Sequence, residues 1–386
     1  MIHRRSPAIW LFGVDDDAVQ LSWRLLGDAP LRLRVLADDV DVETVVEEPG
    51  DAGATHLGGL PAGRLLRIEA TSAALGAPVA ISARTLAPLP GEELSRIATV
   101  SDLHLGTEVF GHRGTITDPF AHVDPHPVRC ARAALDEAVA WGAQRIVAKG
   151  DLTNGGRPEE WRQYAQLVHG LSVPVDALPG NHDHGSSTVP GHLLPRQAAA
   201  AFDLSITQPI TVRDVPGLRL ILADATIPSR NRGSLAPVRS DILDAAADAD
   251  PAGGVLVALH HQIQPHPLPE GWPPGIGHAE GLAFLDDLGA AHPHALVTSG
   301  HTHRNRRWGR AGVVVTQVGS TKDYPGAWAG YVVHEGGLRQ VVRRTEHPDA
   351  IAWTDHSRIA AFGMWEHAAP GRLDARCFNV AWGQPA

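Results

Sequence analysis

Thr99-Val-Ser-Asp-Leu-His-Leu-Gly106 is the stretch from which the fold is read. The apolar run at 97–100 reads as a buried strand, and it gives out into Asp102 and His104, one residue apart. At period two, these side chains fall on the same side of the chain as it leaves the sheet. A carboxylate and an imidazole at a strand end suit a divalent metal ion. Asp-X-His alone also occurs in ordinary turns, so the neighbouring residues decide.

Four more polar clusters follow. Ile146-Val-Ala-Lys-Gly-Asp151 ends in Gly150-Asp151, and Val175-Asp-Ala-Leu-Pro-Gly-Asn-His-Asp183 ends in Gly180-Asn-His-Asp183. Val255-Leu-Val-Ala-Leu-His-His261 ends in a histidine pair, and Ala295-Leu-Val-Thr-Ser-Gly-His-Thr-His303 ends in Gly300-His-Thr-His303. Ligand sites in open α/β sheets gather at the carboxyl ends of strands, so the clusters are expected to converge.

In this order the blocks resemble the calcineurin-like metallophosphoesterase superfamily, whose pattern is Asp-X-His, Gly-Asp, Gly-Asn-His-Asp/Glu, His and Gly-His-X-His. Every block is present across residues 102–303. Periodicity by itself says only α/β with strands and helices alternating. The resemblance implies a four-layer α/β/β/α sandwich, two mixed sheets face to face with helices outside. It also implies two divalent or trivalent metal ions (Mn, Fe or Zn), the first held by Asp102, His104 and His303, the second by Asn181, His260 and His301, with Asp151 bridging. By the same resemblance His182 contacts the phosphoryl or leaving-group oxygen and acts as general acid, and Asp183 orients it. His260 is taken over His261 by analogy with the first histidine of a His-His-Pro stretch, but Gln262 stands in place of the proline, so the choice stays open. The implied reaction is attack on phosphorus by a hydroxide shared between the ions. No Ser or Cys nucleophile motif stands out, so no covalent intermediate is expected.

Within the superfamily the chain looks most like the bacterial class III cyclic-nucleotide phosphodiesterases, on its compact motif spacing, the histidine pair and Gly300-His-Thr-His303. That implies a phosphodiester substrate such as a 3',5'-cyclic nucleotide. A phosphomonoesterase or nucleotidase is the first alternative, and a non-catalytic scaffold the second. The intact set of motif residues speaks against the scaffold.

At 386 residues the chain exceeds one typical core, with 43% hydrophobic and 20% charged residues. The net charge of −10 and the lack of a long Lys/Arg run argue against general nucleic-acid binding. Arg304, Arg306, Arg307 and Arg310 are read as a solvated surface. Two cysteines, Cys130 and Cys377, make neither a metal motif nor a disulfide framework. The N-terminus lacks a signal-peptide core, and no run of ~18 apolar residues suggests a membrane span. A cytoplasmic protein acting on a small phosphoester is expected.

Residues 1–92 read as a β-sandwich with strands at 8–12, 20–25, 31–37, 42–46, 65–70 and 78–87. Leu57-Gly-Gly-Leu-Pro-Ala-Gly-Arg-Leu-Leu-Arg-Ile-Glu69 resembles part of a fibronectin type III-like domain. Such a domain precedes the catalytic domain in relatives that include purple acid phosphatases. Pro88-Leu-Pro-Gly-Glu-Glu93 reads as a linker to a catalytic domain over 93–346. Residues 107–127 read as a long polar loop over the pocket, with His112 and Arg113 as candidate phosphate contacts. The turn-rich loop at 319–328 offers Lys322, Tyr324 and Trp328 to the pocket. The tail, 347–386, reads as a β extension with paired strands at 356–365 and 374–382, capping the domain or joining a homo-oligomer.

Overall fold

The computed structural model describes residues 6–37, 40–111, 114–120, 124–185, 191–268 and 273–383. The N-terminal strands form two antiparallel sheets. Ala8–Val14, Val19–Gly27 and Gly50–Leu57 make one, and Val40–Val46, Leu31–Ala37, Leu65–Thr71 and Val79–Arg84, in that spatial order, make the other. Their inner faces enclose Leu21, Trp23, Leu33, Leu66 and Ile68. Strand Gly50–Leu57 has no counterpart in the sequence reading, because Gly, Asp and Ala carry little strand propensity. Tertiary pairing makes it: Gly53 lies opposite Trp23. A Cβ at Gly53 would stand 2.2 Å from the Trp23 ring. Gly53→Ala is therefore expected to displace that ring and its Nε1 bond to Pro49 O (2.7 Å). The expected cost, about 1–3 kcal/mol, is measurable by urea unfolding.

Two six-stranded sheets follow. The first runs, in space, Val175–Leu178, Arg145–Lys149, Glu93–Val100, Ala327–His334, Gly337–Arg344 and Cys377–Ala381. The second runs Ile210–Val215, Leu218–Ala223, Gly254–Ala258, Ala295–Ser299, Val313–Gln317 and Arg306–Arg310. One core, with Ile97, Val147, Leu220, Leu256 and Tyr331, joins the sheets face to face. A second core packs the first sheet on helices that include His126–Ala140 and Pro158–His169. A third packs the other sheet on Arg239–Ala247 and His278–Ala291. The fold is thus the four-layer α/β/β/α sandwich. Coverage on both faces lets a strand be apolar throughout, as in Gly254–Ala258, where every residue is buried.

Residues 85–92 carry no helix or strand. The N-terminal sheets nevertheless bind the first large sheet: Arg339 and Arg343 reach the buried Asp15 at 3.1 and 2.9 Å, and Gln20 Nε2 donates to Arg344 O at 2.8 Å.

Two expectations are corrected. The loop at 107–127 contains a small antiparallel pair, Val109–Phe110 with Ile116–Thr117, and it ends where the helix begins at His126. The tail is mostly helical, with Pro348–Ser357, Trp365–Ala368 and Leu373–Arg376, and its one strand, Cys377–Ala381, extends the first sheet. Trp353, Ala350 and Ile351 point from one helical face into the core, a spacing that the short apolar runs of the tail disguise. Arg306–Arg310 is an edge strand on which Arg307 and Arg310 are exposed, as expected of a solvated surface. Arg307 lies 3.9 Å over the Phe378 ring, and Arg310 makes two bonds to Asp286 at 2.7 and 2.6 Å.

Candidate metal centre

The strand Glu93–Val100 has ended before Asp102 is reached. Asp102, His104, Asp151, His301 and His303 all take left-handed backbone conformations, with φ of 56°, 47°, 48°, 68° and 54°. Their side chains therefore converge through tight turns beyond the strands, not through the strand alternation that the sequence suggested. Such conformations cost about 1–3 kcal/mol each and persist where the surroundings over-determine them. Here the backbone is tied across the turns: Asp102 N donates to Gly150 O (3.1 Å), His104 N to Asp151 O (2.8 Å), and His301 N to Asp102 Oδ1 (3.0 Å).

Those turns bring the polar clusters together. Asp102, His104 and His303 present ligand atoms within 4.8 Å of one another, as do His104, Asp151 and His182, and Asp102, Asp151 and His260. Asp151 Oδ2 lies 3.5 Å from His104 Nε2 and 3.3 Å from His260 Nε2, placing this carboxylate between two groups of donors. Asn181 Oδ1 and His301 Nδ1 sit 3.3 and 3.1 Å from His260 Nε2. Three imidazoles are fixed from behind. His260 Nδ1 donates to Lys149 O (2.9 Å), His301 Nε2 to Asn231 O (3.0 Å), and His303 Nδ1 to Asp323 Oδ2 (2.5 Å). Each leaves its other nitrogen facing the cluster, the arrangement that orients metal-ligating histidines. A mixed nitrogen and oxygen donor set of this kind fits Mn, Fe or Zn. His261 is buried beside His301, with ring centroids 4.5 Å apart, and neither of its nitrogens has a hydrogen-bond partner among the described residues. Only His260 of the pair reaches Asp151 and Asn181.

The charges are arranged to match. Burial opposes a proton on His260 and His303. The carboxylates Asp151 and Asp102 beside the first, and Asp323 and Asp102 beside the second, prevail and push them up to about 9 and about 10. Burial, with the His260 charge, pushes His301 down to about 4. Burial, His182 and Lys322 hold His104 well below the ordinary range. Ligation requires neutral imidazole. Loading Mn at pH 7.5 is therefore expected to release protons from His260 and His303, and the affinity to rise with pH toward 9. Calorimetry in two buffers of different ionisation heat checks this. A heat that does not change with the buffer excludes it.

His182 stands at the pocket edge-on to His104, with ring centroids 4.6 Å apart. Its Nδ1 donates to Asn154 O (3.0 Å), so that carbonyl holds the ring. Asp183 does not. Its carboxylate accepts from Leu152 N, Thr153 N and Gly180 N at 3.1, 2.8 and 2.8 Å and from the Thr153 hydroxyl at 2.8 Å. The expected orienting role is corrected accordingly: Asp183 braces the two loops, because three backbone N–H groups and a hydroxyl claim its oxygens. His112 and Arg113 lie outside the described residues. Of the 319–328 loop, Lys322 lines the cavity of about 470 Å³, whereas Tyr324 and Trp328 are buried away from it, against Arg344 and Trp141. Phe110 and Trp365 line it instead, and sequence reasoning missed both, as it missed Asp323 behind His303. Trp365 comes from the tail, whose distance in sequence hides its place in space. Asp323 carried a signal, a carboxylate one residue past Lys322 in a loop that leaves a buried strand.

The family described as calcineurin-like phosphoesterase matches residues 95–305, more than half of the chain. A "probable cyclic nucleotide phosphodiesterase" of Rhodococcus erythropolis is 27% identical over 49% of this chain and 62% of its own. The "3',5'-cyclic adenosine monophosphate phosphodiesterase CpdA" of Pseudomonas aeruginosa is 29% identical over 41% of this chain and 54% of its own. A "probable glycerophosphodiester phosphodiesterase GpdQ" of Arcobacter nitrofigilis is 28% identical over 41% and 56%. The chain thus spans a little over half the length of these relatives. Among the described residues no helix is long and apolar enough to cross a membrane.

Proposed function

Because the chain belongs to the calcineurin-like phosphoesterase family, we propose that it is a dinuclear-metal hydrolase of phosphodiesters, with a 3',5'-cyclic nucleotide as the substrate to test first. The observation that carries this reading is the position of Asp151 Oδ2 between His104 Nε2 and His260 Nε2, in a cluster where His260, His301 and His303 are fixed from behind. Asp102, His104 and His303 would hold one ion, Asn181, His260 and His301 the other, and Asp151 both. Two such ions would supply positive charge at the phosphoryl group and lower the pKa of a bound water. The protein's own part is positioning and proton transfer. His182, anchored through Nδ1, keeps Nε2 for the leaving-group oxygen and would protonate it. Asp183 keeps the Gly150 and Gly180 loops in register so that Asp151 and Asn181 stay opposed. The N-terminal strands are proposed as a fibronectin type III-like unit over 1–92 without chemistry of its own, and 93–346 as the catalytic unit.

Hydrolysis of 3',5'-cyclic AMP, bis-p-nitrophenyl phosphate and p-nitrophenyl phosphate by the Mn-loaded full chain tests this, with Asn181→Ala as control. Diester turnover that the control loses supports the reading. Preference for the monoester moves it to a phosphatase, a reading favoured by the extra cation, Lys322, in the cavity. Bound Mn without turnover of the cyclic nucleotide or of either aryl ester rejects both.

A further inference from the structure

A cation used by neither the motif blocks nor the mechanism above reaches the pocket from the loop after strand Val313–Gln317. Lys322 is 4% exposed and lines the same cavity as His104, His182 and His303. Its backbone is fixed to the strand end that carries Asp102. Ser320 Oγ donates to Asp102 O (2.9 Å), Thr321 N to Ser101 O (3.2 Å), and Lys322 N to Ser320 Oγ (3.1 Å). From the other side Trp353 Nε1 donates to Lys322 O (2.5 Å).

The side chain is less well satisfied than its backbone. The nearest anion is Asp323 Oδ2 at 3.5 Å, and that oxygen already accepts from His303 Nδ1 at 2.5 Å. The other oxygen, Asp323 Oδ1, accepts from Trp365 Nε1 at 3.2 Å. Lys322 Nζ also lies 4.6 Å from the Phe110 ring centroid. An ammonium has three N–H donors, and a contact of 3.5 Å is longer than a hydrogen bond. A buried charge without full partners is costly, so such a group is kept where a ligand completes it.

We propose that Lys322 is a substrate-binding residue: its ammonium takes a phosphoryl oxygen of the phosphoester. This rests on the pocket being a phosphoester site. A fixed cation at the cavity wall favours anions with more charge on the phosphoryl group, so the monoester dianion and inorganic phosphate gain more from it than a diester does.

The test uses the Mn-loaded full chain and inorganic phosphate as the probe. Phosphate affinity is measured by calorimetry alongside a count of bound Mn, for wild type, Lys322→Met, Lys322→Gln and Lys322→Arg. The first two are expected to bind phosphate about 10-fold more weakly with Mn content unchanged, and Lys322→Arg to recover to within about threefold of wild type. Either neutral variant serves if the other fails to fold. In kinetics KM for p-nitrophenyl phosphate is expected to rise more than KM for the bis-ester. Phosphate affinity within about twofold of wild type in both neutral variants overturns the proposal, as does a wild type that binds Mn but no phosphate. Loss of Mn together with phosphate also overturns it, since Lys322 would then act by holding Asp323 against His303. A wild type that binds both and hydrolyses neither aryl ester nor the cyclic nucleotide rejects the proposed function and leaves the Lys322 result standing.

Discussion

Replacing Asp151 by Asn is expected to lower kcat/KM for the preferred ester by at least about 10³-fold, some 4 kcal/mol of transition-state stabilisation. The carboxylate is 2% exposed and holds the centre of the site. Its Oδ2 is within 3.5 Å of His104 Nε2 and 3.3 Å of His260 Nε2, and its Oδ1 accepts the His182 N–H at 2.9 Å. Burial opposes its charge, but the surrounding imidazoles, His260 first among them, hold its carboxyl well below the usual range. Asparagine keeps the shape and one acceptor oxygen, so the His182 contact survives. What is lost is the negative charge that can serve both donor groups at once. Far-UV circular dichroism should match wild type, while bound Mn should fall from two ions toward one. Full turnover with two ions bound would exclude the bridging role.

A single methyl group is expected to do almost as much damage. In Gly180→Ala the added Cβ would lie 2.2 Å from Asp151 Oδ1, 2.3 Å from Asp151 N and 2.8 Å from His260 Nε2. Two of these contacts are with the side chains proposed to hold the ions, and the third is with backbone, so none can be relieved by swinging a flexible chain end aside. Gly180 N also donates to Asp183 Oδ2 at 2.8 Å, so a shift of this loop pulls on the brace at Leu152 and Thr153. Overpacking of this kind costs about 1–3 kcal/mol of stability. Activity should drop further, by about 10²-fold, since displacement of a reacting group by ~1 Å suffices for that. Thermal unfolding and kcat measured on the same preparation check both halves. A variant with wild-type kcat would show that the close approach of Gly180 and Asp151 is not required.

The sequence by itself determined the chemistry of the site and the order of its parts. Asp102, His104, Asp151, Asn181, His260, His301 and His303 could be named because the blocks that carry them follow the order of the metallophosphoesterase motifs, and most of those blocks sit where an apolar strand runs out. Tertiary structure alone decided how those side chains meet. Five of them turn inward through left-handed backbone that no period-two rule describes. Asp183 binds backbone N–H groups rather than His182, because which donors reach a carboxylate depends on loops distant in the chain. Strand Gly50–Leu57 exists because Trp23 lies over Gly53, not through propensity. The tail was misread because its apolar residues face a core built by segments more than 200 residues earlier, among them Cys130 and Ala133. Trp365 and Lys322 enter the pocket by the same long-range packing. Local pattern encodes the elements and the reactive groups, while the contacts between distant segments fix their directions.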